Sequence, residues 1–199
     1  MKRTISVIAA AIAAMFSIGA ANVAVADVAV ADEQAAAVPR SVFISELSTQ
    51  GVGPDATFKE FLELSNRANY TVTIGGARLL ANFSNFEFEI AQIPTGTRLA
   101  PGQTYLLASQ RLAGSVQPDQ IFTTTMDIPN SVGISLQTVM GRQLDVVGTT
   151  YRTAYRSGIP ASPLTQQDAV QRKSLHRVLF TGSNQVDFQK LPASPGRPG

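Results

Sequence analysis

The stretch Phe58-Lys-Glu-Phe-Leu-Glu-Leu-Ser-Asn66, read with Val42-Phe-Ile-Ser-Glu-Leu47 just before it, decides the fold class. Both segments are short and rich in apolar and aromatic residues. Gly51, Gly53 and Pro54 lie between them and are turn formers, so the pair reads as two neighbouring strands. Glu46, Glu60 and Glu63 sit inside these apolar runs, which a plain core strand does not need. In a strand over 58–64, Glu60 shares a face with Phe58, Leu62 and Leu64, and Glu63 shares one with Phe61. A carboxylate on a mostly apolar face needs a partner, because an unpaired buried charge costs several kcal/mol. Arg78, Arg98 and Arg177 are the expected partners, and pairing of this kind is preferred to a metal or acid–base site.

Further strands are expected over Thr71–Ile74, Phe83–Ile90, Arg98–Leu99, Thr104–Ala108, Gln120–Phe122, Gly133–Gln137, Gln143–Val147, Leu175–Phe180 and Val186–Phe188. In Phe83–Ile90, Phe86, Phe88 and Ile90 alternate with Glu87 and Glu89, the period of a strand with one wet face. Gly75-Gly76, Pro94-Thr-Gly96, Pro101-Gly102, Pro129-Asn130 and Gly141 punctuate the series. Beyond the N-terminal segment no stretch keeps apolar spacings of three and four, so no helix is expected. Many short strands in this rhythm predict an all-β sandwich or barrel.

The N-terminus has the parts of a secretory signal peptide: Met1-Lys2-Arg3, an uncharged run from Ile5 to Ala21, then Ala24-Val25-Ala26 and Ala29-Val30-Ala31. Cleavage is expected after Ala26 or Ala31, giving a signal over 1–26, a leader over 27–39 and a domain over 40–199. The alternative is a retained membrane anchor, since the apolar run reaches the lower length limit for a span. Lys and Arg number 16 and the acids 14, so loss of Lys2 and Arg3 leaves the chain neutral. The basic pI is therefore no nucleic-acid signature. Cysteine is absent, which removes disulfides, thiolate metal sites and a cysteine nucleophile, and leaves the core alone to hold an exported domain.

One segment breaks the rhythm. Gly148 to Lys173 lacks alternation and carries Tyr151, Arg152, Tyr155 and Arg156. Loops this long inside a compact domain are typically functional or disordered. Tyrosine and arginine both favour binding hot spots and stack on sugars or bases. These four residues are the candidate partner-binding set, against the plainer reading in which the tyrosines fold back on the sandwich.

The order of the segments resembles the lamin tail domain family, in the form carried by exported bacterial proteins. Ile44-Ser-Glu46 and Glu60-Phe-Leu-Glu-Leu-Ser-Asn66 resemble its opening, and Val72-Thr-Ile-Gly-Gly76 with Leu79 its turn into a third strand. Ile93 to Gly102 with Tyr105-Leu-Leu-Ala108 resembles its proline–glycine hairpin, and Val132 to Leu136 with Gly141 and Leu144-Asp145-Val-Val147 its aspartate-bearing strand pair. Ser174-Leu-His-Arg177, Asp187-Phe188 and Ser194-Pro195-Gly196 resemble its closing segment. The likeness covers about residues 40–198. Ala77 replaces a common aromatic, and Asn82 to Glu89 is an unusually aromatic insertion. The resemblance implies an immunoglobulin-like antiparallel β-sandwich serving as an interaction module with no catalytic residues to carry over; with the signal pattern, a secreted protein without cofactor or metal is expected. Its framework residues carry over as Glu46, Phe61, Glu63, Asn66, Gly76, Asp145, Arg177, Phe188, Pro195 and Gly196. The expected partner is a protein or polymer. The first alternative is an accessory domain binding nucleic acid or an anionic polymer through the 148–173 loop.

The second alternative is a hydrolase. His176 is the single histidine, too few for an ordinary zinc site without cysteine. Ser135, in Gly133-Ile-Ser-Leu-Gln137, lacks the second glycine of a nucleophile elbow.

Overall fold

The computed structural model describes residues 41–113 and 115–197; the expected signal peptide, its cleavage sites and the 27–39 leader lie outside the described residues. Twelve strands run in order: β1 (Val42–Ser48), β2 (Phe61–Asn66), β3 (Val72–Thr73), β4 (Arg78–Phe83), β5 (Phe86–Gln92) and β6 (Arg98–Leu99). Then follow β7 (Thr104–Ala108), β8 (Gln120–Ile121), β9 (Gly133–Gln137), β10 (Gln143–Gly148), β11 (Lys173–Arg177) and β12 (Phe188–Pro192). They form a six-stranded sheet, β12-β11-β1-β2-β7-β8, a four-stranded sheet, β10-β9-β4-β5, and the small pair β3-β6. The fold is an all-β sandwich.

The two larger sheets face each other across one core. Ile44, Leu47, Leu62, Leu64 and Leu107 come from the first, and Leu79, Ile90, Ile134, Leu136 and Val147 from the second. Each enclosed Leu or Ile side chain contributes about 1.5–3 kcal/mol by leaving water. Their alternation along β1, β2, β7 and β9 is what made those strands legible.

Several expectations need correction. The 83–90 strand is a hairpin: β4 comes first, Ser84 and Asn85 turn, and β5 returns. The resemblance points to a third strand near Leu79, but the span of β4 escapes the pattern because Leu79, Leu80 and Ala81 are all buried and its middle shows no alternation. The 58–64 strand starts at Phe61; Phe58 lies in a 3-10 turn, Ala56–Phe58, and is exposed. β11 stops at Arg177, short of Phe180, and 186–188 is the end of a helical turn, α2 (Asn184–Asp187), running into β12. A second short helix, α1 (Gln166–Val170), lies inside the long loop, so the expectation of no helix fails twice. Thr165 caps α1 through the Asp168 N–H while the Asp168 carboxylate reaches back to the Thr165 N–H, a complete capping box. The pairing is not wholly antiparallel either: β8 joins β7 in parallel.

One bulge sets the placement of the acids. Ile44 pairs with Leu64 but Glu46 pairs with Glu63, so Ser45 is the extra residue of β1. Strict alternation would point Glu46 into the core beside Ile44. The bulge turns it to the outer face, next to Glu63, and returns Leu47 to the core.

Candidate functional site

The three early glutamates are buried, as expected, but arginine serves none of them. Glu46 and Glu63 lie side by side on the outer face of the six-stranded sheet and grip the C-terminal segment that crosses it. The Ser194 N–H and Oγ–H donate to Glu46 at 2.9 Å each, and Ser174 Oγ donates to it at 2.6 Å. The Gly196 N–H donates to Glu63 at 3.0 Å and Ser45 Oγ at 3.2 Å. Pro195 spans the two grips. Under this strap, Phe61, Leu106 and Ala108 pack with Leu112, Val116 and Ala193. Burial pushes the Glu63 carboxyl up to about 7; the Gly196 N–H opposes this and neighbouring Glu46 adds to it.

Glu60 lies at the floor of an open cleft of about 460 Å³, walled by Phe58, Phe122, Met126 and the threonines 123–125. Its carboxyl accepts the Ile128 N–H at 2.5 Å and meets the Asp127 carboxylate. Burial, reinforced by the Asp127 charge against the pull of the Ile128 N–H, raises it to about 9, so Glu60 is a neutral acid at pH 7. Burial raises the Asp127 carboxyl as well, so where an arginine was expected the structure places a second acid whose own proton affinity is increased.

The arginines go elsewhere. Arg78 Nε bonds Glu89 at 2.5 Å, and Arg98 lies exposed on β6. Arg177 is enclosed between the sheets and reaches both Asp145 oxygens at 2.9 Å, the Val146 carbonyl at 3.0 Å and Asp187 at 3.4 Å. The Phe188 ring lies 4.3 Å from its guanidinium. Asp145 also takes the Ile44 N–H at 2.8 Å. Asn66 Nδ2 donates to the Tyr70 and Leu99 carbonyls at 2.9 Å, joining β2 to the small sheet, and Gly76 makes the turn before β4 with a φ of 81°. Several of the framework residues named from the sequence thus make contacts within the fold.

The 148–173 loop is bonded to the four-stranded sheet and divides its four candidate residues. Gly133 and Gly148 are cross-strand partners and leave bare backbone on the outer face of the four-stranded sheet. The loop lies on that bare patch: a Cβ on Gly133 would stand 2.2 Å from Thr153 Oγ1, and one on Gly148 2.4 Å from Arg156 Cβ. Thr153 Oγ1 donates to Asn82 at 2.8 Å, and the Tyr155 hydroxyl donates to Glu87 at 2.5 Å. Asn184 Oδ1 accepts the Gly148 and Ser157 N–H groups at 3.0 and 2.8 Å. Tyr155 therefore folds back as an anchor. Tyr151, 66% exposed, Arg152 and Arg156 point outward, with the Arg156 guanidinium 5.4 Å from the Tyr151 ring centroid. The two strand glycines were the available signal, since glycine inside a strand marks close approach of another backbone.

The hydrolase candidates are not brought together. Ser135 is buried on β9, where its Oγ accepts from Gln137 at 3.1 Å, whereas His176 is on β11 of the other sheet. His176 Nε2 faces Ser174 at 2.9 Å and Glu46 at 3.3 Å, but through the same nitrogen, and Ser174 is fully enclosed. A triad needs acid and nucleophile on opposite ring nitrogens. Among the described residues no three of His, Asp and Glu converge as a metal site. No family model matches the chain, and no curated protein matches it.

Proposed function

We propose that the chain is a secreted, lamin-tail-type domain with an immunoglobulin-like arrangement that works as a non-catalytic binding module. The observation that carries this reading is the division of the 148–173 loop. Thr153 and Tyr155 fasten it to the sheet while Tyr151, Arg152 and Arg156 are held out, an ordered arrangement that costs little entropy on binding. The framework residues support the family likeness: Glu46 and Glu63 hold Ser194 and Gly196, and Asp145 holds Arg177. The test is retention of partners from culture medium by the immobilised full chain, wild type against Tyr151→Ala/Arg156→Ala. A partner held by wild type and lost by the variant is the expected result; identical retention would sink the reading.

The stacking of Arg156 on Tyr151 favours a polyanion as the second reading. With two arginines in contact, the log–log slope of affinity against salt is about −1.4 for a single-stranded nucleic acid. Affinity indifferent to salt would remove this version.

A further inference from the structure

The aromatic insertion has a role that the loop surface does not use. β5 is the outermost strand of the four-stranded sheet and runs for seven residues. Its two-residue turn pairs Phe83 with Phe86, and in such a hairpin that closing pair exchanges both backbone hydrogen bonds. Alternation then turns the N–H and C=O groups of Glu87 and Glu89 away from β4. Further along, the edge is covered: Thr123 donates to the Ile90 carbonyl at 2.9 Å through its N–H and 3.0 Å through its hydroxyl, and Gln120 Nε2 donates to Gln92 at 2.9 Å. Among the described residues none pairs with the edge from Phe86 to Glu89.

Exposed edges in soluble proteins are commonly blunted by lysine or proline. Residues 83–92 contain neither. Instead the edge has two chemically distinct faces. Phe83, Phe86 and Phe88 form a ladder of rings 5.5 and 5.9 Å apart on one, and Phe86 is 45% exposed. Glu87 and Glu89 lie on the other. Glu89 is matched by Arg78, whereas Glu87 accepts from the Tyr155 phenol and, among the described residues, makes no ion pair. A second copy paired antiparallel would bring Glu87 and Glu89 of both chains to one face, and like charges across a strand pair are destabilising.

We propose that the Phe86–Glu89 edge of β5 accepts an extended segment of a partner polypeptide in which apolar residues alternate with lysine or arginine. The main chain supplies the ladder, the apolar residues cover the phenylalanine rings, and the basic residues lie over Glu87. The full chain is titrated with a fluorescent Val-Lys-Val-Lys-Val-Lys peptide, blocked at both ends, while backbone amide resonances are followed. The expected result is shifts centred on residues 86–89. N-methylation of the peptide's alternate backbone nitrogens, in the register facing the strand, weakens binding about ten-fold or more. The Val-Glu-Val-Glu-Val-Glu peptide binds about ten-fold less tightly, and Glu87→Lys reverses that preference. Tyr151→Ala binds the probe as wild type does, which separates this edge from the loop surface proposed above. Equal binding of the N-methylated or glutamate peptide, shifts centred elsewhere, or a dimer forming through β5 would each overturn the proposal.

Discussion

Both sheets of this sandwich have an outer face to cover, and they are covered by opposite means. On the six-stranded sheet, acids hold a strap: Glu46 and Glu63 collect the N–H groups of Ser194 and Gly196 above a small apolar patch. On the four-stranded sheet, side chains are removed: Gly133 and Gly148 let the 150–156 segment settle on bare backbone. The first cover rests on carboxyls, of which Glu63 is raised by burial, and the second chiefly on shape, with a tie from the Tyr155 hydroxyl to Glu87. Proton concentration is therefore expected to reach one face far more than the other.

Arg177, which ties the two sheets, gives the reference against which both covers are measured. Its replacement by alanine leaves Asp145 and Asp187 enclosed without their guanidinium and should cost about 3–5 kcal/mol. Urea denaturation measures this directly. Gly148→Val comes next, because its side chain would overlap Arg156 and the Tyr155 carbonyl; lifting the loop should cost about 1–3 kcal/mol at any pH. A pH-dependent loss there would break the distinction between the faces. Glu63→Ala should cost about 1 kcal/mol, because the two lost hydrogen bonds are partly repaid by relief of a buried carboxyl. Its sharper sign is faster proteolysis within 193–197, with the 150–156 segment unaffected.

The pH dependence itself is spread over several pH units. Glu63 and Glu60 have folded pKa values raised from 4.5 to about 7 and about 9, so the folded protein holds protons that the unfolded chain has released. Their contribution is fully present below pH 4.5 and is lost as pH rises, through about 7 for Glu63 and about 9 for Glu60. Each group removes at most about 1.4 kcal/mol per pH unit while it titrates. Glu60→Gln should flatten the fall between pH 7 and 9, and Glu63→Gln that between pH 5 and 7. Asp168 works in reverse: burial alone would raise it, but Lys190 and Thr165 together bring it down to about 2, so its contribution disappears only as pH falls through that value.

The legible part of the fold is the part governed by local pattern. Thr104–Ala108 and Gly133–Gln137 are strands over their full expected lengths because turn formers bound them and apolar residues fill them. The bounds of β4 were hidden because no glycine or proline separates it in the chain from the aromatic run that follows, and the partners of Glu46, Glu60 and Glu63 were hidden by distance. Nothing near Glu46 in the chain announces Ser194, 148 residues away, and nothing near Ser45 announces the bulge that swings Glu46 outward. Of the candidate binding residues, Tyr151 and Arg156 could be named from composition. That Tyr155 is an anchor depends on Glu87 and Gln137, contributed by other strands.

The position of β1 has a kinetic consequence. It sits in the middle of the six-stranded sheet between β2, its neighbour in the chain, and β11, which comes about as late as a strand can. Glu46 cannot meet His176, nor can the Ile44 carbonyl accept from Arg177, until some 130 further residues have been made. Closure of so wide a loop before its reward arrives is the mark of a slow folder, with refolding on the scale of milliseconds to seconds. A ribosome releasing this chain from its N-terminus would hand over an unfinished sheet until β11 and β12 emerged.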